Sequence, residues 1–410
     1  MALLVKNRSF RLLFSATAVS NLGDGVSALA FPWLATLITR DPALVALVAF
    51  ATTLPWLLFS VPVGVLVDRY DRRLLMVRAD LFRLILTCGV ISLIFSIPSF
   101  PPEGDPLLYI LVLATLGMML GTAEVVRDNA AQTVLPSVVP KTDLESANGQ
   151  LWSVEQVMGS FVGPPVAGLL IAFAVPAPFA LDAVTFGVAA LLVWCIAIPG
   201  RANPPRRELR REVAEGWNWM RANPTIFRLA VMLGFINGIS VMAMTILILF
   251  SQEVLGLTAA GHGVLMAVGA AGGVLGGILG PRIIARIGPQ NGVLVALFLI
   301  PLPFVILAMT AHPVVAGIAM FIEVFSALMW NIVTVSYRQR RIPDALLGRV
   351  NSLYRFFGWG MMPIGALLGG WIVSLGEGPL GREVALRLPF MIAAAGAYVL
   401  LIYGARKLRL

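Results

Sequence analysis

The stretch Gly64-Val65-Leu66-Val67-Asp68-Arg69-Tyr70-Asp71-Arg72-Arg73 follows directly on a long apolar run. A glycine, an acid four residues later and a cluster of arginines cannot stay in hydrocarbon, so they mark a short, crowded turn between two membrane spans. Apolar runs of about 20 residues recur on both sides of it, and that length crosses a bilayer core of roughly 30 Å. Only 12% of the 410 residues are charged, 59% are hydrophobic and mean hydropathy is +0.89. A soluble domain carries about 25% charged residues. So few charges cannot cover a soluble surface of this size, and the composition predicts an all-α, multi-pass membrane protein.

Twelve spans are expected, at about 11–38, 43–66, 74–97, 107–126, 150–174, 177–198, 226–250, 263–287, 291–311, 313–336, 352–375 and 385–404. Proline and glycine punctuate them at Asp41-Pro42, Pro98 to Pro106, Pro176-Ala177-Pro178 and Gly288-Pro289. The first run is too long for the apolar core of a signal peptide and reads as a retained span. Arg40, Arg382 and Arg387 fall in loops of one side and Arg83 and Arg355 within spans; the rest of the 30 basic residues gather on the other side. That bias predicts both termini in the cytoplasm of a cell (plasma or inner) membrane. It also accounts for the net charge of +9 without a nucleic-acid partner. The triplet Asn7-Arg8-Ser9 then lies on the cytoplasmic side and reads as an idle glycosylation signal. Cys88 and Cys195 fall inside spans and read as small packing residues.

The chain repeats itself. Phe10-Arg11-Leu12 followed by Asn21 matches Phe227-Arg228-Leu229 followed by Asn237. Gln132 to Pro136, then Asn148, matches Gln339 to Pro343, then Asn351, and Gly163-Pro164 falls where Met362-Pro363 falls. Matches in the same order point to duplication of a six-helix unit. The expected organisation is an amino-terminal bundle over 1–199, a basic cytoplasmic linker over 200–225 and a carboxyl-terminal bundle over 226–410, the two pseudo-repeats enclosing a central cavity. The linker holds Arg201, Arg206, Arg207, Arg210 and Arg211, and could include a surface helix with Trp217 and Trp219 near the headgroups.

Polar residues inside spans are the candidates for function. Thr17, Ser20, Asn21, Asp24 and Ser27 share one face of span 1. Asp24, near mid-membrane, reads either as a protonation site or cation counter-charge, or as an acid paired with a buried arginine or capping a kink at Gly23 and Gly25. Glu323 heads a second stripe in span 10, with Ser326, Trp330, Asn331 and Thr334, and reads as a proton carrier or substrate counter-charge, or as an interhelical hydrogen-bond partner. Asp80 and Arg83, three apart, are expected to pair with each other. Arg355 reads as a latch or a snorkelling side chain, and Glu124, Glu155 and Asp182 as weaker candidates near span ends. Gly159, Gly163, Pro164 and Gly168 read as a hinge and packing face, and the glycine-rich face of span 8 as a packing surface. His262 and His312 fall in or near outer loops. There is no phosphate-binding Gly-rich loop, hydrolase motif or metal-ligand cluster, so neither an enzyme nor a cofactor is expected.

The turn at Gly64, Asp68, Arg69, Arg72 and Arg73 resembles the signature loop between the second and third helices of the major facilitator superfamily. The opening Phe10-Arg11-Leu12 with Asn21 to Asp24, and Gln339 to Asp344 with Gly348 to Asn351, resemble the bacterial multidrug, macrolide and enterobactin exporter branch. The span 5 segment resembles the glycine-proline motif of that superfamily's antiporters. The resemblance implies a secondary transporter, working as a monomer in the lipid bilayer, that exports amphipathic or hydrophobic small molecules by proton antiport. It leaves open a dedicated exporter or flippase for one metabolite, siderophore or lipid, or a proton-coupled importer. Asp24 and Glu323 would exchange protons. Cargo would meet Asn21, Arg83, Met118, Phe235, Asn237, Met244, Trp330, Asn331, Arg355 or Trp359. Asp68, held by Arg72 and joined by Asp128, would latch the halves against the start of span 11. The chain departs from the pattern in two places. Asp71 stands where the loop has a glycine, and span 4 has no internal arginine, since Arg127 is placed at its end.

Overall fold

The structure is a computed structural model that describes residues 2–197 and 209–409. Every regular element among them is helical. In hydrocarbon no solvent satisfies a backbone N–H or C=O, so a spanning segment must bond within itself. After a short helix, Ala2–Lys6, the passes are α1 (Arg8–Ile38), α2 (Pro42–Arg69), α3 (Arg72–Ser96), α4 (Leu107–Val138), α5 (144–173) and α6 (Ala177–Trp194). Then come α7 (Pro224–Glu253), α8 (259–287), α9 (289–309), α10 (Pro313–Arg341), α11 (Asp344–Leu380) and α12 (Arg382–Lys407). Among the described residues, ten helical stretches are long and apolar enough to cross a membrane. One of them, Ala259–Met309, is 51 residues long. It would reach roughly 75 Å as one rod at about 1.5 Å per residue, more than twice a bilayer core. It breaks at Gly288, whose φ of 80° is open to glycine alone among common residues, and so supplies both α8 and α9. The 31-residue α1 stands outside the ten because its polar stripe lowers its hydropathy.

The chain forms two compact units. One holds Met1–Arg40, Ala51–Pro205 and Thr258–Ala267; the other holds Asp41–Phe50, Arg206–Leu257 and Val268–Leu410. In the first unit α1 packs on α5 and α6, and α3 on α4 and α6. In the second α7 packs on α11 and α12, and α9 on α10 and α12.

Glycines set how closely these helices approach. A Cβ on Gly25 of α1 would collide with the backbone of Gly159 in α5, and one on Gly163 with Gly25 in return. The contact recurs in the second unit, where Gly365 of α11 meets the backbone of Gly238 in α7. It recurs again five residues on, with Gly168 against Ala259 and Ala260, and Gly370 against Pro42 and Ala46. The structural repeat therefore aligns Gly163 with Gly365, three residues from the Gly163/Met362 match of the sequences. Around this contact α5 is not a regular α-helix: residues Gln156–Val162 form a π-helical turn just before Pro164 and Pro165. Proline lacks the N–H that an α-helix needs there, and a π turn absorbs the irregularity. The glycines of α8 pack against Phe321, Phe325 and Ile332 of α10, the packing role expected of them.

Several local expectations change. Trp217, on the helix Leu209–Ala222, stacks on Phe357 at 6.2 Å and meets Phe227 edge-on at 5.9 Å, so it is anchored to protein rather than to headgroups. Asp71 caps α3 by accepting the Leu74 N–H at 3.0 Å, which gives the acid a structural task in place of the missing glycine. Asn7 likewise caps α1 at the Phe10 N–H and donates to the Val138 carbonyl at 2.8 Å. Cys88 and Cys195 are free and exposed, not interior packing residues. His262 is buried at the start of α8, close to Trp33. The linker arginines Arg201, Arg206 and Arg207, and the side chains of Arg210, Arg211 and Asp68, lie outside the described residues.

These contacts predict that Gly25→Leu destabilises the fold by about 1–3 kcal/mol, the range for overpacking a close contact. Thermal unfolding of the detergent-solubilised protein should show a lower Tm. Gly64→Ala should leave Tm unchanged, because a Cβ there meets nothing within 4 Å.

Candidate functional site: buried charges in both units

In the first unit the polar face of α1 meets α3 and α6. Arg83 pairs with Asp24, donates a long bond to Ser20 Oγ at 3.4 Å and places its guanidinium 3.9 Å from the Phe186 ring centroid. The expected Asp80–Arg83 pair is not formed. Asp80 faces Arg127 of α4 instead, with Nε to Oδ1 at 3.5 Å and both side chains at most 1% exposed. Two residues one turn apart on α3 thus take partners on different neighbouring helices, which satisfies two helix contacts at once.

Arg127 is an interior residue, contrary to its expected place at a helix end. The helix continues to Val138, three turns beyond the expected boundary at 126. The polar run Arg127-Asp128-Asn129 reads as an exit from the membrane, but its charges are paired and its amide bonds back to the helix. Arg127 also meets Asp128 at 3.5 Å and donates to the Ala16 carbonyl at 3.3 Å; Asn129 donates to the Val125 carbonyl at 2.8 Å. Glu124 lies within electrostatic reach of Arg83 and Asp24, and Glu155 within reach of Asp128 and Arg127. Asp182 of α6, 1% exposed, accepts a 2.6 Å hydrogen bond from Ser27. Glu124, Glu155 and Asp182, ranked low for lying near span ends, therefore join one network. No local sequence signal marks them, because the neighbours that gather them come from other helices.

The network sets six carboxyls, Asp24, Asp80, Glu124, Asp128, Glu155 and Asp182, against two guanidiniums, Arg83 and Arg127. Uncompensated charge in a low-dielectric interior is prohibitively costly. Such a site can bind positive charge, as protons or as a cation.

In the second unit Glu323 of α10 is half-buried and bonds Ser240 of α7. Trp330 is buried, whereas Asn331 turns out to an exposed position. Asn237 donates to the Gly358 carbonyl at 2.8 Å, and Asn21 to the Thr17 carbonyl at 2.9 Å. Arg355 is exposed, its guanidinium 5.5 Å from the Trp359 ring. Met118 and Phe235 are exposed and Met244 is half-buried. At the signature turn Arg72 donates to the Thr133 carbonyl at 2.9 Å and Arg73 to the Ile196 carbonyl at 3.0 Å, while Arg69 is exposed. Arg338 stacks on Tyr354 at 3.6 Å and donates to Asn351 Oδ1 at 2.9 Å, a cluster that the sequence reading did not single out.

A family model described as transmembrane secretion effector matches residues 3–403. The chain belongs to that family of major facilitator transporters. The transporter is 29% identical over 206 residues to the multidrug efflux pump Tap of Mycobacterium tuberculosis, a match that covers 48% of the chain and 46% of the pump, about half the length of each. It is 26% identical to Tap of Mycolicibacterium fortuitum, over 95% of both chains. It is 24% identical to the enterobactin exporter EntS of Escherichia coli over 98% of this chain and 92% of the exporter. Among solved structures it resembles the nucleoside transporter NupG, with TM-score 0.76 and 13% identity over 98% of this chain and all of that one. A bacterial homologue of the iron transporter ferroportin in its inward-facing state gives TM-score 0.76 and 17% identity over 98% of this chain and 99% of that one. These likenesses establish the transporter fold.

The Asp24–Arg83 pair makes a clean double-mutant test. Arg83→Met alone strands a carboxylate and should cost about 3 kcal/mol, as breaking buried pairs does. Adding Asp24→Asn should restore much of that loss, and a Tm cycle over the four proteins reads the coupling.

Proposed function

We infer that this transporter exports amphipathic or hydrophobic small molecules and is driven by proton antiport through alternating access. It would work as a monomer in the inner membrane with both termini in the cytoplasm. The observation that carries the reading is the excess of carboxyls over guanidiniums in the first unit, together with a half-buried Glu323 in the second. Bound protons would balance such sites when cargo is absent. The names of the relatives, efflux pumps and an exporter, support the outward direction.

Asp24 and Glu323 are the proposed exchange sites. Protonating Asp24 removes the charge that holds Arg83, leaving the guanidinium on Phe186 and Ser20 and free to accept another anion. Cationic or neutral lipophilic cargo would compete with protons for the same carboxyls. Met118, Phe235, Met244 and Trp359 would offer soft, adaptable contacts. The signature turn would act as the conformational latch through Asp68, with Arg72 and Arg73 fastening α3 to the ends of α4 and α6. The Gly25–Gly159–Gly163 contact and the π turn of α5 would form the hinge. The two six-helix bundles would span 1–199 and 226–410, joined by the linker 200–225.

A second reading is a dedicated exporter of one metabolite. The near full-length likeness to an enterobactin exporter favours it, with exposed Arg355 beside Trp359 as an anion contact.

Proteoliposomes with an imposed pH gradient separate the two. Lipophilic cations, macrolides and catechol siderophores would be added to wild type, Asp24→Asn and Glu323→Gln while internal pH is followed. Proton flux triggered by several unrelated compounds and reduced at least tenfold in either variant is the expected outcome. Flux with one compound only, lost in Arg355→Ala, supports the dedicated exporter; flux indifferent to both carboxylate variants removes them as coupling sites.

A further inference from the structure

Helix α10 has two opposed faces. One, carrying Phe321, Phe325 and Ile332, fills the glycine surface of α8. The other carries Glu323, Ser326, Trp330 and Thr334, at intervals of three and four residues that keep them in line. Ser326, Trp330 and Thr334 are each about 1% exposed. The functional reading uses only the first of the four.

The hydroxyls of this file are anchored and still able to accept. Ser326 Oγ donates to the Glu323 carbonyl at 2.9 Å and Thr334 Oγ1 to the Asn331 carbonyl at 3.5 Å. Thr334 lies beside Tyr354 of α11, whose hydroxyl donates to the Leu229 carbonyl at 3.3 Å. Trp330 differs. Its Nε1–H is buried and has no acceptor among the described residues. An indole N–H can only donate, and leaving it unmet costs about 1–3 kcal/mol. Buried water bonded to two to four polar groups is the usual remedy in protein interiors.

We propose that Trp330 holds a buried water on this face of α10, and that a file of such waters links Glu323 to the Thr334–Tyr354 pair as the proton path of the second unit. The proposal rests on the proton-antiport reading. Glu323 and Trp330 are two turns apart, roughly 10 Å along the axis. About three waters at ~2.8 Å spacing bridge that gap, with the Ser326 hydroxyl beside them. Trp330 and Thr334 are about 6 Å apart, a gap for one water.

A proton arriving at the Tyr354 end becomes one O–H of the file; each water passes one on, and the last forms Glu323–COOH. One proton enters, one carboxylate is neutralised and the waters are regenerated. Trp330 transfers nothing and is a positioning residue. The polar and charged groups around the file are Ser240 of α7 at Glu323, and Arg338 of α10 with Tyr354 and Arg355 of α11 at the far end. The two guanidiniums oppose free cations there, so charge enters when an ionised Glu323 draws a proton inward.

Two measurements test this. In protein labelled with 15N-indole, the Trp330 Nε1–H signal, assigned by its loss in Trp330→Phe, should show magnetisation transfer from water. A Trp330 signal with no water contact overturns the proposal whatever the transport data say. In proteoliposomes Trp330→Phe and Thr334→Val should each slow cargo-driven proton flux about tenfold, and Thr334→Val should leave cargo Kd within twofold. Exposed Trp371→Phe should leave flux unchanged. Wild-type proton flux untouched by Trp330→Phe and Thr334→Val sinks the path alone. Wild-type cargo movement with no proton signal sinks the antiport reading and the path with it.

Discussion

Hydrocarbon offers no hydrogen-bond partner, and the architecture follows from that constraint. Helices satisfy their own backbones, but their side chains then have little hydrophobic reason to prefer one another over lipid. Close packing has to supply the difference. Here it does so through glycine, where Gly25 lies against Gly159 and Gly163, and Gly238 against Gly365. Backbones in contact gain dispersion along several turns. The same contacts surround the one π-helical turn among the described residues. Close packing and an irregular backbone thus share one place in α5.

The same low dielectric governs the charges. A solvated surface would tolerate Asp80 and Arg127 unpaired at little cost, whereas a buried site does not. The buried guanidiniums of Arg83 and Arg127 are therefore enclosed on several sides. Arg83 has Asp24, Ser20 and an aromatic face; Arg127 has Asp80, Asp128 and a carbonyl. The surplus carboxyls have hydroxyl partners or electrostatic neighbours only, as Asp182 has Ser27 and Glu323 has Ser240. Arg83 and Arg127 each face a carboxylate, and the network as a whole keeps a surplus of acids over guanidiniums.

The all-helical, multi-pass character of the chain was legible in it, because span length and turn residues are local properties. So was the polar face of α1, which follows from helical periodicity alone. Partners were not legible. Asp80 and Arg83 satisfy the spacing rule for a pair within one helix, yet each reaches further to another helix. Arg127 reads as a boundary residue because three polar residues follow one another, and only Asp80, 47 positions away, shows why the helix runs on. Glu124 and Asp182 read as weak candidates for the same reason.

From sequence alone came an all-α membrane fold, its repeat and its intramembrane carboxyls, because hydropathy and periodicity need no neighbours; the transporter reading came from the resemblance of the signature turn. Tertiary structure decided which acid meets which arginine, that Asp71 caps a helix, that Trp217 anchors to Phe227 and Phe357, and that the Trp330 N–H has no acceptor among the described residues. Those outcomes depend on distances of a few ångströms between helices far apart in the chain. Spacing within one helix carries no information about them.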